Sequence, residues 1–298
     1  MIKYGIHWLS FTGFGNVEEA FTIYKILFED KFGNLEELGN GGRGFKRILF
    51  SLMGFKLYVE PINQEVYYHF EIPGKCCELI PLEYFRALED LLISNVSKYR
   101  YKRIDLAFDN VKFTPAEIEK EIIDDNFRSL VKRESLRIYK SPFEIKENGE
   151  IGTHTVQLGS NSSDRMITIY DRRGYTRLEF QARNERANLI ARDLFNSDNN
   201  NNFYKIMISH LRDYIDFEFE PWKVFINNIG RANLCIGEPK KIELENLINW
   251  FDKQIAPAFS TIVDTVKPEK INNMIENARY RRKTKYKNLI EVNNVVKS

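Results

Sequence analysis

Cysteine, histidine and net charge are all scarce in this 298-residue sequence. The three cysteines, Cys76, Cys77 and Cys235, are odd in number and lack the spacing of metal ligands, so we expect free thiols in a reducing compartment. The four histidines include no H-x-H pair, which argues against a metal site built on two histidines. A formal net charge of only +2 means that any surface for nucleic acid must be local.

Long apolar runs and nucleotide-binding loops are absent as well. No stretch of about 18 apolar residues occurs, and no apolar run follows a basic N-terminus, so we expect neither a membrane span nor a signal peptide, and no membrane partner. The expected location is the cytoplasm. The glycine-rich segment Gly39–Phe45 (GNGGRGF) lacks the GKS or GKT ending of a phosphate-binding loop, which favours a hairpin turn or a mobile loop.

The apolar pattern of the first two thirds of the chain predicts an α+β fold. With 43% hydrophobic and 29% charged residues, the chain can bury a sizeable core in one large domain or two smaller ones. Period-two alternation indicates strands and period-3.6 stripes indicate helices, so we expect an antiparallel sheet covered by helices on one face. The predicted strands lie at residues 4–12, 55–60, 66–72, 103–110, 136–139, around 145 and within 155–183, and the predicted helices at 17–28, 79–96, 114–125 and 184–195.

A polar run separates this part from the rest of the chain. Residues 197–202 (SDNNNN) offer no apolar side chain to a core, so they predict a loop and a domain boundary. We therefore expect a first domain over residues 1–200 and a mainly helical C-terminal region over residues 203–298. Its predicted helices cover residues 204–214 and 242–255, and a third begins at Pro268.

Three strands of the first domain place a tyrosine and several acids on one surface. In RIDLAFDN, MITIYDR and TRLEFQAR apolar residues alternate with polar ones, so each strand has one apolar and one polar face. If the strands share a sheet with their apolar faces in register, four polar side chains emerge together: Tyr170, Asp105, Asp109 and Glu179. Ala107, between the two aspartates, leaves room for something to approach.

These residue types suit the cleavage of a phosphodiester. A tyrosine hydroxyl can attack phosphorus, but with a pKa of about 10 it needs a base or a cation to help it. Carboxylates are suitable ligands for Mg²⁺ or Mn²⁺, and we expect Glu179 to bind the cation together with Asp105 or Asp109. Glu71 is a possible further ligand. Arginines can hold the phosphates on either side of the cut, and the candidates are Arg172, Arg173 and Arg177.

Structural roles compete with these assignments. Asp105 can instead pair with Arg103 or Arg177 on a solvated sheet face. Tyr175 is the nearest rival nucleophile. Tyr139 lies in LRIYK, which imitates ITIYD, but no Gly-Ser turn precedes it.

The C-terminal region carries a strongly basic segment, Ala278–Lys287. Six of its ten residues are positively charged, none is acidic, and two tyrosines are interleaved. Because the rest of the chain is nearly balanced, contact with nucleic acid is favoured over a merely solvated helix. The predicted DNA-binding residues of this region are Lys270, Arg279, Arg281, Arg282, Lys283, Lys285 and Lys287.

Several of these strings together resemble the replication initiators of small rolling-circle plasmids of the staphylococcal type, the Rep_trans family. The resemblance rests on RIDLAFDN, on the Gly159-Ser160 turn before the strand ITIYDRR, on RLEFQARNERANLIARDLF, and on INWFDKQIAPAF followed by a basic helix. Each string alone is a weak motif, but their order and spacing make the match specific. It covers most of the chain.

The resemblance implies a function and partners. Members of this family nick one strand at the plasmid's double-strand origin and stay linked to the 5′ end through a tyrosine, which the match puts at Tyr170. It also implies a homodimer, a Mg²⁺ or Mn²⁺ ion, a host helicase as partner, and a C-terminal region that recognises the origin. Two alternatives remain open: a relaxase of a mobile or conjugative element, and a sequence-specific DNA-binding protein that kept the fold without the cut.

Two departures from the family pattern concern the site itself. The stretch between Tyr170 and Arg177 is shorter than in staphylococcal members, so the loop beside the nucleophile differs. Family strings near the N-terminus often carry an acid where this sequence has His7, and we assign His7 no role on this basis.

Overall fold

The computed structural model describes residues 2–63, 65–145, 151–172, 174–196, 202–232, 248, 251–252 and 255–280. Two compact units divide the chain, Met1–Asn233 and Leu234–Ser298. The first unit is an α+β structure built on a large antiparallel sheet, which confirms the predicted fold class.

Ten of the described strands form one sheet in the order β2-β3-β4-β5-β1-β6-β11-β10-β9-β8. They are β1 (Lys3–Gly13), β2 (Glu36–Leu38), β3 (Phe45–Phe50), β4 (Lys56–Pro61), β5 (Tyr68–Ile72), β6 (Tyr99–Val111), β8 (Leu136–Ile145), β9 (Ile151–Leu158), β10 (Arg165–Arg172) and β11 (Tyr175–Arg183). The short strands β7 (Phe127–Ser129) and β12 (Ile215–Phe217) pair separately. The sequence predicted two strands where β8 is one, because the polar residues Lys140 and Ser141 still pair with β9.

Helices pack their apolar residues against one side of this sheet, its core face. In the first unit they are α1 (Val17–Leu27), α2 (Glu29–Phe32), α3 (Gly74–Cys77), α4 (Leu82–Asn95), α5 (Pro115–Ile123), α6 (Asn184–Phe195), α7 (Asn202–Tyr214) and α8 (Glu220–Ile226). The start of α5 shows how local sequence fixes an end: Thr114 and Glu117 form a reciprocal capping box around Pro115.

Alternation divides the central strands as the sequence predicted. In β6, Ile104, Leu106 and Phe108 are fully buried in the core. Asp105, Ala107 and Asp109 alternate with them and therefore lie on the opposite side, which we call the polar face. Strand β6 pairs with β1 on one side and β11 on the other, so the polar faces of all three strands adjoin.

The first unit continues past the predicted boundary near residue 200. The hydroxyl of Tyr214, at the end of α7, donates a hydrogen bond of 2.9 Å to the carbonyl oxygen of Arg165 in β10. Phe225 of α8 packs edge-on against Phe108 of β6, with ring centroids 5.3 Å apart. These helices complete the core of the sheet, and the first unit extends to Asn233.

The second unit contains α9 (Ala256–Thr265) and α10 (Pro268–Tyr280). The predicted start of a helix at Pro268 is confirmed. Most of the helix predicted over residues 242–255, and Arg281, Arg282, Lys283, Lys285 and Lys287, lie outside the described residues. Among the helices that the structure describes, none has the length and hydropathy to cross a membrane.

Candidate active site

Tyr170 and Glu179 meet on the polar face of strands β10 and β11. Thr168 pairs with Glu179 and Tyr170 pairs with Arg177, so the tyrosine and the glutamate are diagonal neighbours. The Tyr170 hydroxyl donates a hydrogen bond of 2.8 Å to Glu179 Oε1. The structure therefore brings together the two residues on which the predicted chemistry depends most.

The surroundings of Tyr170 keep its hydroxyl protonated. Burial, followed by the nearby Glu179 carboxylate, raises the pKa of Tyr170 above its ordinary value. A phenol in this state is a poor nucleophile until a base accepts its proton or a cation stabilises the phenolate. Glu179 already accepts its hydrogen bond, so the carboxylate stands where such a base is needed.

Glu179 Oε1 has two further neighbours. Arg177 Nη1 donates to it over 3.3 Å, and His7 Nδ1 lies 3.2 Å away. The other imidazole nitrogen of His7 is 3.9 Å from Glu78 Oε1. His7, to which the sequence assigned no role, is thus part of the site.

A β-bulge explains how His7 reaches Glu179. Along β1, Ile6 pairs with Leu106 and Trp8 pairs with Asp105, so His7 is an extra residue without a partner in the β1–β6 register. Strict alternation would have sent His7 to the core face with Leu9. A bulge re-aims side chains in this way and is frequent beside active sites.

Gly74 makes room for the imidazole. A Cβ atom at this position would lie only 2.5 Å from His7 Nε2. The glycine at the start of α3 therefore lets His7 pack directly against the backbone while Nδ1 faces Glu179. No pattern in the sequence indicated this contact, because 67 positions separate the two residues.

The two predicted aspartate ligands are each held by an arginine. Asp109 accepts hydrogen bonds from Arg177, including one of 2.6 Å from Nη2. Asp105 is 4% exposed and accepts bonds of 2.9 and 2.5 Å from Arg103. Burial raises the pKa of Asp105 despite these bonds. The pairing of Asp105 with Arg103, considered as an alternative from the sequence, is therefore present in the structure.

The structure also shows the burial and the partners of Glu71 and of the candidate arginines. Glu71 is buried, and it accepts hydrogen bonds from Arg43 and from the Tyr58 hydroxyl. Arg177 differs from the expected surface contact, because it is only 3% exposed and neutralises Asp109 and Glu179. Arg172 is partly exposed, 3.9 Å from Glu78. Arg173 lies outside the described residues.

A pocket of about 780 Å³ opens beside this cluster. Its lining includes His7, Asp109, Arg172 and Arg177. Two small residues that pair across β1 and β6, Gly5 and Ala107, also line it, and nothing lies within 4 Å of where a Cβ of Gly5 would be. The space expected beside Ala107 is thus present. Tyr170 and Glu179 do not line it themselves, but His7 and Arg177, which both contact Glu179, do.

The two rival tyrosines lie farther from Glu179 than Tyr170 does, although Tyr175 lines the pocket. Tyr175 lies four residues before Glu179 on β11, or roughly 13 Å along the strand. Tyr139 is in the same register row as Tyr170 but two strands away, or roughly 10 Å. Of the predicted C-terminal contacts, Lys270 and Arg279 are exposed on α10.

Comparison with known proteins identifies the family of this chain. The family model described as replication initiation factor (Rep_trans) matches residues 99–278. This chain belongs to the Rep_trans family. The matched segment of the Rep_trans chain includes Asp105, Asp109, Tyr170 and Glu179, and it begins after the strand that carries His7.

A solved structure has a similar fold. The rolling circle replication initiator protein from Geobacillus stearothermophilus superposes with a TM-score of 0.61, at 22% sequence identity, over 78% of this chain and 98% of that one. At this sequence identity the similarity shows that the two proteins share a fold and shows nothing about activity. A comparison with curated proteins gives no match.

Proposed function

We propose that this chain initiates rolling-circle replication by nicking one DNA strand at a plasmid double-strand origin and later rejoining it, with Tyr170 as the nucleophile. The observation that carries the proposal is the hydrogen bond of 2.8 Å between the Tyr170 hydroxyl and Glu179, beside an open pocket in a member of the Rep_trans family. Tyr170 is only partly buried, and groups with a raised pKa beside a specific charged partner in a cleft are candidates for a functional site.

The proposed reaction is a transesterification. Tyr170 Oη attacks the scissile phosphorus while its proton passes to Glu179, and the bond from phosphorus to the 3′ oxygen breaks. That oxygen takes up a proton and leaves as a free 3′ hydroxyl, which primes synthesis. The 5′ phosphate stays on Tyr170 as a phosphodiester, so rejoining is the reverse attack and needs no nucleotide cofactor.

A divalent cation, Mg²⁺ or Mn²⁺, is part of the proposal. Among the described residues no three His, Cys, Asp or Glu side chains converge into a ready-made metal site. Glu179 nevertheless presents a carboxylate oxygen, with His7 Nδ1 3.2 Å away, and Mg²⁺ commonly binds through one or two carboxylates together with waters and substrate phosphates. When bound there, a cation would supply charge stabilisation to the phosphate oxygens and the phenolate. For Asp105 or Asp109 to serve as a ligand, its arginine must first move away.

The substrate and partners follow the family. We propose that the strand to be cut enters as single-stranded or hairpin DNA at the origin, that the protein acts as a homodimer, and that a host helicase unwinds the plasmid behind it. The second unit, with Lys270 and Arg279 exposed on α10, is the proposed region for origin recognition.

A nicking assay tests the function. A supercoiled plasmid that carries the origin of the same replicon is incubated with the full chain and Mg²⁺ or Mn²⁺, with a chelator as control. We expect open circles and a protein–DNA adduct that survives SDS, both lost with the chelator. Origin binding in a mobility-shift assay without any open circle in either metal would instead support a DNA-binding protein that lacks the cut.

The contribution of His7 can be tested by moving its imidazole through a change at Gly74. We expect Gly74→Ala to push the imidazole away from Glu179 and to lower the nicking rate by about 10-fold to 100-fold, because small displacements in a site are costly. Gly39→Ala is the control, since nothing lies within 4 Å of the Cβ position there. His7→Ala should lower the rate similarly, and the double variant should lose little more. If the double variant instead lost the product of the two single rate reductions, Gly74 would not act through His7.

A further inference from the structure

A second bulge between β1 and β6 lies next to the first. Ser10 pairs with Arg103 and Phe11 pairs with Tyr101, so Lys102 is an extra residue in β6. Because a bulge turns two consecutive side chains toward one side, Lys102 joins Arg103 on the polar face, as His7 joins Trp8. The two bulges together bring an indole and two cationic side chains to one part of the sheet.

A pocket of about 340 Å³ lies there, which we call the Trp8 pocket. Its lining includes Trp8, Arg43, Lys102, Arg103, Arg183 and Glu71. Four of these six residues are cationic and one is acidic, so the lining is more positive than the whole chain, whose formal net charge is only +2. A local basic surface of this kind is what a nearly neutral DNA-binding chain requires.

Two further titratable groups of the lining, Glu71 and His69, affect the charge of the pocket. Glu71 is only 4% exposed and is held by Arg43 and by the Tyr58 hydroxyl at 2.9 Å. His69 also lines the pocket, and burial, followed by Arg43 and Lys102, lowers its pKa to about 4. The imidazole is therefore neutral at pH 7. Arg43 is paired with Glu71 and Arg103 with Asp105, so Arg183, which donates to uncharged acceptors, contributes positive charge beyond these pairs.

Trp8 gives the pocket an aromatic surface. The guanidinium of Arg103 lies over its ring, 4.5 Å from the centroid, and is itself fixed by two hydrogen bonds to Asp105. The ring is only partly buried, unlike Trp222, which is fully buried. A partly exposed indole among cations is the combination that binds single strands, because bases stack on the ring and phosphates contact the cations.

The Trp8 pocket and the Tyr170–Glu179 pair lie on the same polar face. Trp8 follows His7 in β1, and Glu179 is paired with Ala107, four residues from Arg103 along β6. Four residues of a strand span roughly 13 Å, so one DNA strand can reach from the nucleophile to the pocket.

We propose that the Trp8 pocket binds the stretch of single-stranded DNA that adjoins the scissile phosphate, with a base stacked on Trp8 and phosphates held by Arg183 and Lys102. This inference rests on the proposed function for the identity of the strand, but the binding itself does not require that the protein cuts DNA. Among the side chains of the pocket, Arg183 is a suitable probe because it donates to Gln181 Oε1 at 2.7 Å and to the carbonyl oxygen of Asn161, neither of which is charged.

The test measures the affinity of the full chain for a fluorescent oligothymidylate by anisotropy, with Tyr170→Phe in every protein so that no DNA is cut. We expect Trp8→Ala and Arg183→Ala each to raise Kd about 10-fold, and Trp8→Phe to retain most of the affinity because phenylalanine also stacks. Arg183→Ala should also reduce the slope of log Kd against log salt by about 0.7, the loss of one phosphate contact. Arg133→Ala is the charge control, since Arg133 is 71% exposed and pairs with Asp125.

The outcomes separate this inference from the proposed function. Unchanged Kd in Trp8→Phe, Trp8→Ala and Arg183→Ala would overturn the inference, whether or not the parent protein nicks DNA. A mononucleotide that displaces the oligothymidylate at equal nucleotide concentration would overturn it as well, because the pocket would then bind a small molecule. Weakened binding in the two alanine variants would support the pocket even if the parent protein made no nick. Melting temperatures check that each variant is folded.

Discussion

Tyr170→Phe is expected to lower the nicking rate by at least about 10³-fold and to leave no covalent adduct, because the variant lacks the attacking oxygen. The ring and its packing remain, and only the hydrogen bond to the Glu179 carboxylate is lost, a change of about 1 to 3 kcal/mol in the free energy of unfolding. Origin binding should therefore be unchanged within error. The measurements are nicking of supercoiled plasmid, retention of DNA on protein in SDS, and mobility shift.

Two tyrosine variants serve as controls for this prediction. Tyr175→Phe removes the hydroxyl that lies on the same strand as Glu179, and Tyr139→Phe removes one in the register row of Tyr170. Both should nick and form adduct as the parent does. An adduct that persists in Tyr170→Phe and disappears in Tyr175→Phe would move the nucleophile to Tyr175.

Glu179→Gln is expected to lower the nicking rate by about 10² to 10⁴-fold. Glutamine has nearly the same shape and can still accept a hydrogen bond from Tyr170, but its amide cannot take up the proton and is a weaker ligand for a cation. Arg177 keeps Asp109 as its partner, so the fold should tolerate the change. Single-turnover nicking, measured over a range of Mg²⁺ and Mn²⁺ concentrations, gives both the rate and the apparent affinity for the metal.

Glu78→Gln is the matched control for that change. Glu78 is 55% exposed and lies 3.9 Å from the other nitrogen of His7, so it shares the neighbourhood without touching Tyr170. We expect its nicking rate to remain close to that of the parent. If Glu78→Gln were as slow as Glu179→Gln, the general charge of the region, and not a base at Glu179, would explain the loss.

The sequence predicts those contacts of the site that depend on the alternation of apolar and polar residues along a strand. Tyr170 and Glu179 lie on neighbouring strands that only two residues of sequence separate, and both sit at polar positions of strands with regular apolar faces. Once such strands pair, their polar faces must coincide. The meeting of the two side chains therefore follows from period two together with the register of this pairing.

The unpredicted part depends on breaks in that alternation. His7 and Lys102 are the extra residues of two bulges, and a bulge has no reliable mark in a single sequence. The only hint was a histidine at a position that strict alternation assigns to the core with Leu9 and Phe11. The partners of Asp105 and Asp109 were equally open, because Arg103 and Arg177 select a carboxylate only after the strands have assembled.

The end of the first unit at Asn233 was likewise not predictable from the sequence. A run of asparagines predicts a loop, but the chain before and after a predicted loop can still share a core. Here Tyr214 and Phe225 return to the sheet and contact Arg165 and Phe108, residues more than 40 positions earlier. Contacts of such long range are set by tertiary packing, which composition does not reveal.

Mapping the covalent link tests the central claim most directly. After the reaction with origin DNA, the adduct is digested with nuclease and protease, and the peptide that carries nucleotide is sequenced by mass spectrometry. We predict a phosphodiester on the side chain of Tyr170 and on no other residue. Nucleotide on Tyr175 or any other side chain, or nicked DNA whose 5′ end is free of protein, would contradict it.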